Sequence, residues 1–425
     1  MLKVMVVGSG AREHALVWKI AQNREVENIY VCPGNAGTGV LAENIAIHSD
    51  DIESLANFAQ AKEIDLAIIG PEKPLSLGIV DYFENLGIPV FGPTMAASQI
   101  ESSKIFARDL MASSGIPCPK GVAFTSYNEA YTYLVQQKPP FVVKVDGLAA
   151  GKGIIITSSL SEASQALKEI MEGKAFGSAG NKVIIDTFIS GREVSLLAFT
   201  DGKSVSPMVP VCDYKKIWDG DQGPNTGGMG CYSQPDFFSS QMVDKATRTV
   251  LLPAIKAMAQ KGTPYKGVLY AGLMVTDKED IFVLEFNCRF GDPETQVLLP
   301  LLKTDIVDIC LAVAQNKLGE IKIEWSNDVC VGVVMSSAGY PSNYEIGYPI
   351  RGLANIDKDV LAFQAGTKLG DGGNTYTNGG RVLTLSCTGK DLGEARTKVY
   401  HNLKNIHFTG SYYRKDIALR KEGIE

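Results

Sequence analysis

The chain has 425 residues, 45% of them hydrophobic and 21% charged, with 43 glycines and a net charge of -6. That length exceeds one ordinary core, so two to four domains of roughly 100 to 200 residues are expected, and the acidic balance argues against nucleic acid, whose phosphates are held by clustered Lys and Arg. No apolar run reaches the ~18 residues of a membrane span, residues 1–8 lack the parts of a signal peptide, and eight cysteines without a C-x-x-C pair argue for reduced thiols over a disulfide frame or zinc site, so a cytoplasmic protein with no membrane or nucleic-acid partner is expected.

From residue 1 to about 100, apolar strands at 4–7, 29–31, 66–69 and 89–91 alternate with helical segments at 11–21, 52–62 and 77–86. That alternation predicts a parallel sheet covered on both faces, with ligands collecting at the carboxyl ends of its strands. Three glycine-bearing segments fall there: Gly8-Ser9-Gly10-Ala11-Arg12-Glu13-His14, Pro33-Gly34-Asn35-Ala36-Gly37 and Gly70-Pro71-Glu72. Gly8-x-Gly10 after a strand could open a dinucleotide site, but the third glycine position holds Glu13. Such a loop suits a sugar phosphate better, through helix-terminal N–H groups, and a plain tight turn stays open.

After Phe91-Gly92-Pro93-Thr94 the texture changes. A helix at 103–114 carries Lys104, a buried-looking strand at 141–145 carries Lys144, and Asp146-Gly147-Leu148-Ala149-Ala150-Gly151-Lys152-Gly153 forms a small-residue loop before a strand at 154–156. The loop is no P-loop, because G-x-x-x-x-G-K-[ST] fails at Gly153. Its composition predicts a lid that closes over phosphates through backbone N–H groups. A buried Lys144 calls for an anion; the alternative is an edge-strand lysine reaching solvent.

A helix at 161–172 and strands near 183–188 and 193–199 follow, with Asp186 and Glu193 at strand ends. The segment 201–232 reads as turn-rich and ends in Gly223-Pro224-Asn225-Thr226-Gly227-Gly228-Met229-Gly230, too poor in apolar groups for core and suited to holding backbone close to a ligand. A helix at 241–260 leads to a strand pair at 267–275 and 281–287.

The second of these strands runs into Leu284-Glu285-Phe286-Asn287-Cys288-Arg289-Phe290-Gly291-Asp292-Pro293-Glu294. Strand alternation puts Phe282, Leu284 and Phe286 toward a core and Glu285, Asn287 and Arg289 on the other face. Glu285 and Asn287 are oxygen ligands of the kind magnesium takes, and Arg289 would meet the charge that moves in phosphoryl transfer. A solvated polar strand face accounts equally for E-x-N-x-R alone. As a strand-end guanidinium, Arg289 is expected to contribute little packing. A helix at 305–315, strands at 329–335, 361–365 and 381–386, and a helix at 391–404 describe a small terminal α+β region. Four histidines without ligand spacing give no case for zinc or a Ser-His-Asp triad.

Taken together, these motifs closely resemble the phosphoribosylamine-glycine ligase (glycinamide ribonucleotide synthetase) family of the ATP-grasp superfamily, collinearly as far as Arg414-Lys415-Asp416. The resemblance implies an α/β fold: a Rossmann-like, pre-ATP-grasp parallel-sheet domain at 1–101, an ATP-grasp domain at 102–326 with a mobile lid subdomain at about 122–192, and a C-terminal α+β domain at 327–425. It implies a monomer acting on glycine and 5-phosphoribosylamine with ATP and magnesium or manganese. By the same resemblance Glu285 and Asn287 hold the metal, while Lys104, Lys144, Gly147, Gly151, Lys152, Gly153, Asp186 and Glu193 bind nucleotide. Arg289, Lys215 and Asp292 act in catalysis; Gly10, Glu13, Asn35, Glu72, Asp213, Asn225 and Gly228 line the substrates. The segment 270–275 lacks the further metal-binding acid that many ATP-grasp enzymes carry, which leaves the number of metal ions open. Other ATP-grasp ligases or carboxylases, an NAD-dependent oxidoreductase resting on Gly8-x-Gly10, and a noncatalytic nucleotide-binding regulator are the competing readings.

Overall fold

The structure is a computed structural model that describes residues 1–148 and 153–419. Near the N-terminus, Leu2–Gly8 lies at the centre of five parallel strands in the order Glu43–Asn44, Val26–Pro33, Leu2–Gly8, Leu66–Ile69, Val90–Phe91. Its alternate residues enter two different cores. Val4 and Val6 pack with Ala15, Leu16 and Ile20, whereas Met5 and Val7 pack with Leu55, Ala59 and Phe83. Both faces are therefore buried, as a parallel sheet requires. The chain leaves the central strand toward opposite sides to reach its two neighbours, so Gly8–Gly10 and Gly70–Glu72 open at a topological switch point.

The helix expected at 77–86 is present as Ile79–Asn85, and a further short helix, Glu72–Ser76, precedes it; Leu77-Gly78 separates the two, with Gly78 in the left-handed region. The helix at 240–260 is interrupted by a wider turn at Thr247–Leu251 just before Pro253, whose missing N–H removes a rung of the regular ladder.

A four-stranded antiparallel sheet, in the order Gly121–Phe124, Val183–Thr187, Phe141–Val145, Ile154–Thr157, carries the helices Tyr127–Leu134 and Leu160–Met171 on one face. Val143, Val145, Ile185, Leu134 and Leu167 form its own small core.

Among the described residues the largest sheet has nine strands, one of which, Val205–Pro207, lies off the main path and pairs with Arg192–Thr200. Ile281–Asn287, Gly267–Val275, Arg192–Thr200, Val211–Asp213 and Gly230–Ser233 continue through Val329–Ser336, Arg381–Gly389 and Val360–Gln364. The segment 201–232, read as turns, in fact contributes strands to it, and Met229 in the glycine-rich run is fully buried. Strand pairing there is made by backbone groups, so it left no apolar signature in the side chains. The terminal region is hydrogen-bonded into the same sheet as the central one, and its helix Leu392–Leu403 covers Val331, Val333 and Leu385. Phe290 ties the five-stranded sheet to the large one: its ring stacks on Phe91 at 5.7 Å and meets Phe199 edge-on at 6.1 Å. Aromatic pairs of this kind add about 0.5–1.5 kcal/mol beyond burial. Among the described residues no helix is long and apolar enough to cross a membrane.

Candidate functional site

The strand Ile281–Asn287 does not alternate as expected. Gly272 stands opposite Glu285 while the next residue, Leu273, stands opposite Val283, so Leu284 is an extra residue in a β-bulge. The bulge shifts the phase: Ile281, Val283 and Phe286 are buried, whereas Phe282 and Leu284 are only partly so. Glu285 and Asn287 lie beyond the bulge and keep a common face. The carbonyl that the bulge turns out of the ladder, Leu284 O, accepts from Lys144 Nζ at 3.1 Å.

Cations gather around Glu285. Burial opposes its ionisation, but Lys215, Lys104, Lys144 and Arg289 together hold its pKa below the usual carboxylate range. Neither Glu285 nor Asn287 makes a side-chain hydrogen bond or ion pair with any described residue. Lys104 opens the helix Lys104–Ser113, which Ser103 caps through Phe106 N; its ammonium donates to Gly147 O at 2.9 Å. Burial lowers the Lys104 pKa, with Glu285 opposing. Ser103 Oγ and Ile105 N both bond Asp146 Oδ1, fixing the start of the glycine-rich loop against this helix. Gly153 closes that loop by accepting from Val145 N at 2.8 Å. Gly151 and Lys152 lie outside the described residues.

The anion expected beside Lys144 is Asp186, at 2.9 Å, which Arg108 also grips. Asp186 is therefore engaged within the protein, in a buried position that orients Lys144. Glu193 is half-exposed and pairs with Lys215 Nζ at 2.8 Å. Burial works against the charge of Lys215, yet Glu193, Glu285 and Asp213 raise its pKa.

Asp213, at the end of Val211–Asp213, is pushed well above the usual carboxylate range by burial and by Glu294, and its Oδ1 is buried with no hydrogen-bond partner among the described residues. Gly228 permits this approach: at φ +107° a Cβ there would sit 2.4 Å from Pro293 Cδ and 2.8 Å from Asp213 Oδ1. Asn225 pairs with Lys216 across a two-stranded ribbon, placing it next to Lys215 in space. Asp292 bonds Arg381 at 3.1 Å and Gln296 Nε2 at 2.7 Å, and although burial opposes it, Arg381 and Arg12 keep its pKa low. Arg289 is far from a loose strand end. Its Nε meets Glu72 Oε2 at 3.0 Å and its NH2 meets Glu101 Oε1 at 3.6 Å. The expectation that it packs little is corrected: it joins two carboxylates from different helices. Burial favours protonated Glu101. An arginine cannot lose its proton, however, and Cys288 N donates to Glu101 at 2.7 Å, so the carboxylate is the form that holds Arg289.

On the first-domain side the polar groups are already bonded. Glu13 Oε2 accepts from Gly10 N and its Oε1 from Arg12 Nε, both at 2.6 Å, capping its own helix. Gly8, at φ +131°, lies so close that a Cβ would be 2.5 Å from Glu13 Cδ. Asn35 Nδ2 donates to Ser9 O at 2.9 Å and Gln364 O at 2.7 Å, while Oδ1 accepts from Gly37 and Thr38 N–H. Both side chains thus shape backbone.

Sequence reasoning missed Glu101, Arg12, Arg381 and Glu294, and the buried Glu294–Tyr270–Ser195 network, in which Tyr270 OH lies 2.8 Å from Glu294 and 2.7 Å from Ser195. Arg12 sat within a motif already singled out. Arg381 reaches Asp292 and Gly227 O from a distant strand, and nothing local in the sequence marks it.

The chain is similar to known proteins over nearly its whole length. Family models described as phosphoribosylglycinamide synthetase match the N domain over residues 2–101, the ATP-grasp (A) domain over 102–295 and the C domain over 330–420. Phosphoribosylamine--glycine ligases of Vibrio vulnificus (strain YJ016) and Escherichia coli (strain K12) are each 44% identical over 422 residues, covering 99% of this chain and 98% of theirs. A crystal structure of the Thermotoga maritima phosphoribosylamine--glycine ligase superposes with a TM-score of 0.86 at 33% identity, covering 98% of this chain and all of that one. A Campylobacter jejuni biotin carboxylase shares the fold alone, at 15% identity and a TM-score of 0.75, over 98% of this chain and 94% of that one. With all three domain models in order and near-complete coverage by its relatives, the chain belongs to the phosphoribosylglycinamide synthetase family.

Proposed function

We propose that this chain joins glycine to 5-phosphoribosylamine while ATP becomes ADP and phosphate, giving glycinamide ribonucleotide in purine biosynthesis, as a cytoplasmic monomer. The observation that carries this reading is the convergence of Lys104, Lys144, Lys215 and Arg289 on Glu285, with Glu285 and Asn287 unengaged. Two adjacent oxygen donors among cations fit a magnesium ion that keeps its other positions for water and phosphate. Glu285 and Asn287 would hold it, and when bound it would neutralise charge on the β- and γ-phosphates.

Lys104 and Lys144 bind the phosphates, and the backbone around Gly147 and Gly153 borders them. A carboxylate is a poor electrophile, so the glycine carboxylate oxygen attacks the γ-phosphorus, the bond to ADP breaks, and glycyl phosphate forms. The amine of phosphoribosylamine then attacks the carbonyl carbon, loses a proton and expels phosphate. Arg289 faces the transferring phosphoryl group, and its grip by Glu72 and Glu101 limits its movement. The unpartnered Asp213 oxygen suits the ammonium of glycine, beside Lys215 and Glu193. Gly10 N is taken by Glu13, so the ribosyl phosphate would meet the remaining N–H groups at the start of the helix Ala11–Ile20.

Purified protein supplied with ATP, magnesium, glycine and freshly generated phosphoribosylamine should release phosphate only when both acceptors are present, with glycinamide ribonucleotide detected by mass spectrometry. Absence of that product, or phosphate release driven by bicarbonate instead, sinks the assignment.

A further inference from the structure

The C-terminal segment around Arg414 touches none of the groups assigned above to substrates, yet it carries a fully buried arginine. Arg414 Nε and NH2 bond the two oxygens of Asp416 at 2.7 and 2.6 Å. Its NH1 reaches Lys216 O and Asp221 Oδ1, both at 2.9 Å, and its guanidinium lies 4.8 Å from the centre of the Tyr214 ring. A buried cation persists only with such a complete set of partners. Lys216 lies in a ribbon in which Lys216–Trp218 pairs with Gln222–Asn225, Asp221 ends the turn Asp219–Asp221 that joins its two strands, and Tyr214 lies two residues before it.

Lys215 lies between two of the contacts. Arg414 holds the ring of the residue before it and the carbonyl of the residue after it, while the Lys215 side chain reaches Glu193. Further bonds tighten the same clasp: Gly220 N to Asp416 Oδ2 and Lys415 N to Asp219 Oδ1, both at 2.8 Å, and Ala418 N to Tyr214 OH at 3.1 Å. The segment is itself fastened to the terminal region. Ser336 and Tyr412 exchange backbone bonds at 2.8 and 3.0 Å, and from the helix Leu392–Leu403 Tyr400 OH donates to Arg414 O at 2.7 Å and Arg396 to Ile417 O at 3.0 Å.

We propose that Arg414 is a positioning residue: through the Tyr214 ring and the Lys216 carbonyl, the C-terminal segment sets Lys215 on the glycine side of the site. The inference rests on the ligase reading for its kinetic consequence, but the clasp makes a separate prediction about Lys215 itself. Loosening it should disturb glycine more than ATP, whose proposed lysines 104 and 144 sit on other elements.

The test uses the full-length protein, Arg414→Lys and, because that variant removes a buried planar fork, also Asp221→Ala, whose carboxylate is 60% exposed and whose loss spares the core. Expected is a fall in kcat/KM for glycine of about 10- to 100-fold in Arg414→Lys, since small misplacements near the chemistry act on that scale, a smaller fall in Asp221→Ala, and in both a smaller change in KM for ATP than for glycine. Acetylation of Lys215 by acetic anhydride, followed by peptide mass spectrometry, should be faster in both variants than in wild type. If Arg414→Lys does not fold, Asp221→Ala decides. Folded variants with wild-type glycine kinetics overturn the proposal, and so does an unchanged Lys215 labelling rate should the wild type itself prove inactive, a result that would separately sink the ligase reading.

Discussion

On the side of the site built from residues 104–287, Glu285 and Asn287 have no partner among the described residues, and three lysines and an arginine press on the carboxylate. On the side built by the first domain, Glu13 and Asn35 have their polar atoms bonded to backbone or to Arg12. One side holds charge that a ligand must complete; the other uses its side chains to shape a backbone cradle. On the proposed function the difference follows from what each would bind. A metal-bound triphosphate is met by side-chain charge, whereas a sugar phosphate can be met by N–H groups at a helix start. Arg289 joins the sides, since its partners Glu72 and Glu101 come from the first domain and from the helix that leaves it.

The largest effect should come from breaking that joint. Arg289→Met is expected to abolish turnover and also to destabilise the protein by about 3–5 kcal/mol, the scale for removing one member of a buried charge set. Urea unfolding would measure it, and adding Glu101→Gln should recover part of the stability and none of the activity. Full stability in Arg289→Met would mean that the two sides are independent.

Glu285→Gln should act on one side only. Turnover is expected to drop by about a hundredfold or more, the scale of losing an electrostatic group at the chemistry, with a higher magnesium requirement and an unchanged KM for phosphoribosylamine. An unaltered magnesium titration would remove Glu285 from the metal.

The smallest effect is a pH dependence confined to the cradle. His14 accepts from Gln364 N at 2.8 Å through Nδ1, and burial lowers its pKa from 6.5 to about 4. Between those values the unfolded chain takes up a proton that the native histidine does not. The contribution is therefore complete above about pH 6.5 and is lost as the pH falls, amounting to about 3 kcal/mol by pH 4. His14→Gln should unfold with a shallower decline in stability between about pH 7 and about pH 4.5 than wild type. An equal decline in both would place the acid sensitivity elsewhere.

The amino-acid sequence determined the strand and helix alternation of the first hundred residues, the strand pair 267–275 and 281–287, and the cluster Glu285, Asn287 and Arg289, because hydrophobic period and local spacing are written in neighbouring residues. It also carried the family, through motifs that lie in order along the chain. Tertiary structure alone decided which of those groups remain open to a ligand. Asp186 and Asn35, expected beside nucleotide and substrate, are bonded within the protein, the former to Lys144 and the latter to Gln364. The bulge at Leu284 put Ile281 and Val283 in the core in place of Phe282 and Leu284 and left Phe286 there as expected, because register depends on the partner strand. Glu101, Arg381 and Arg414 act through residues up to about two hundred positions away, and a charge buried by distant partners leaves no periodic trace in the segment that carries it.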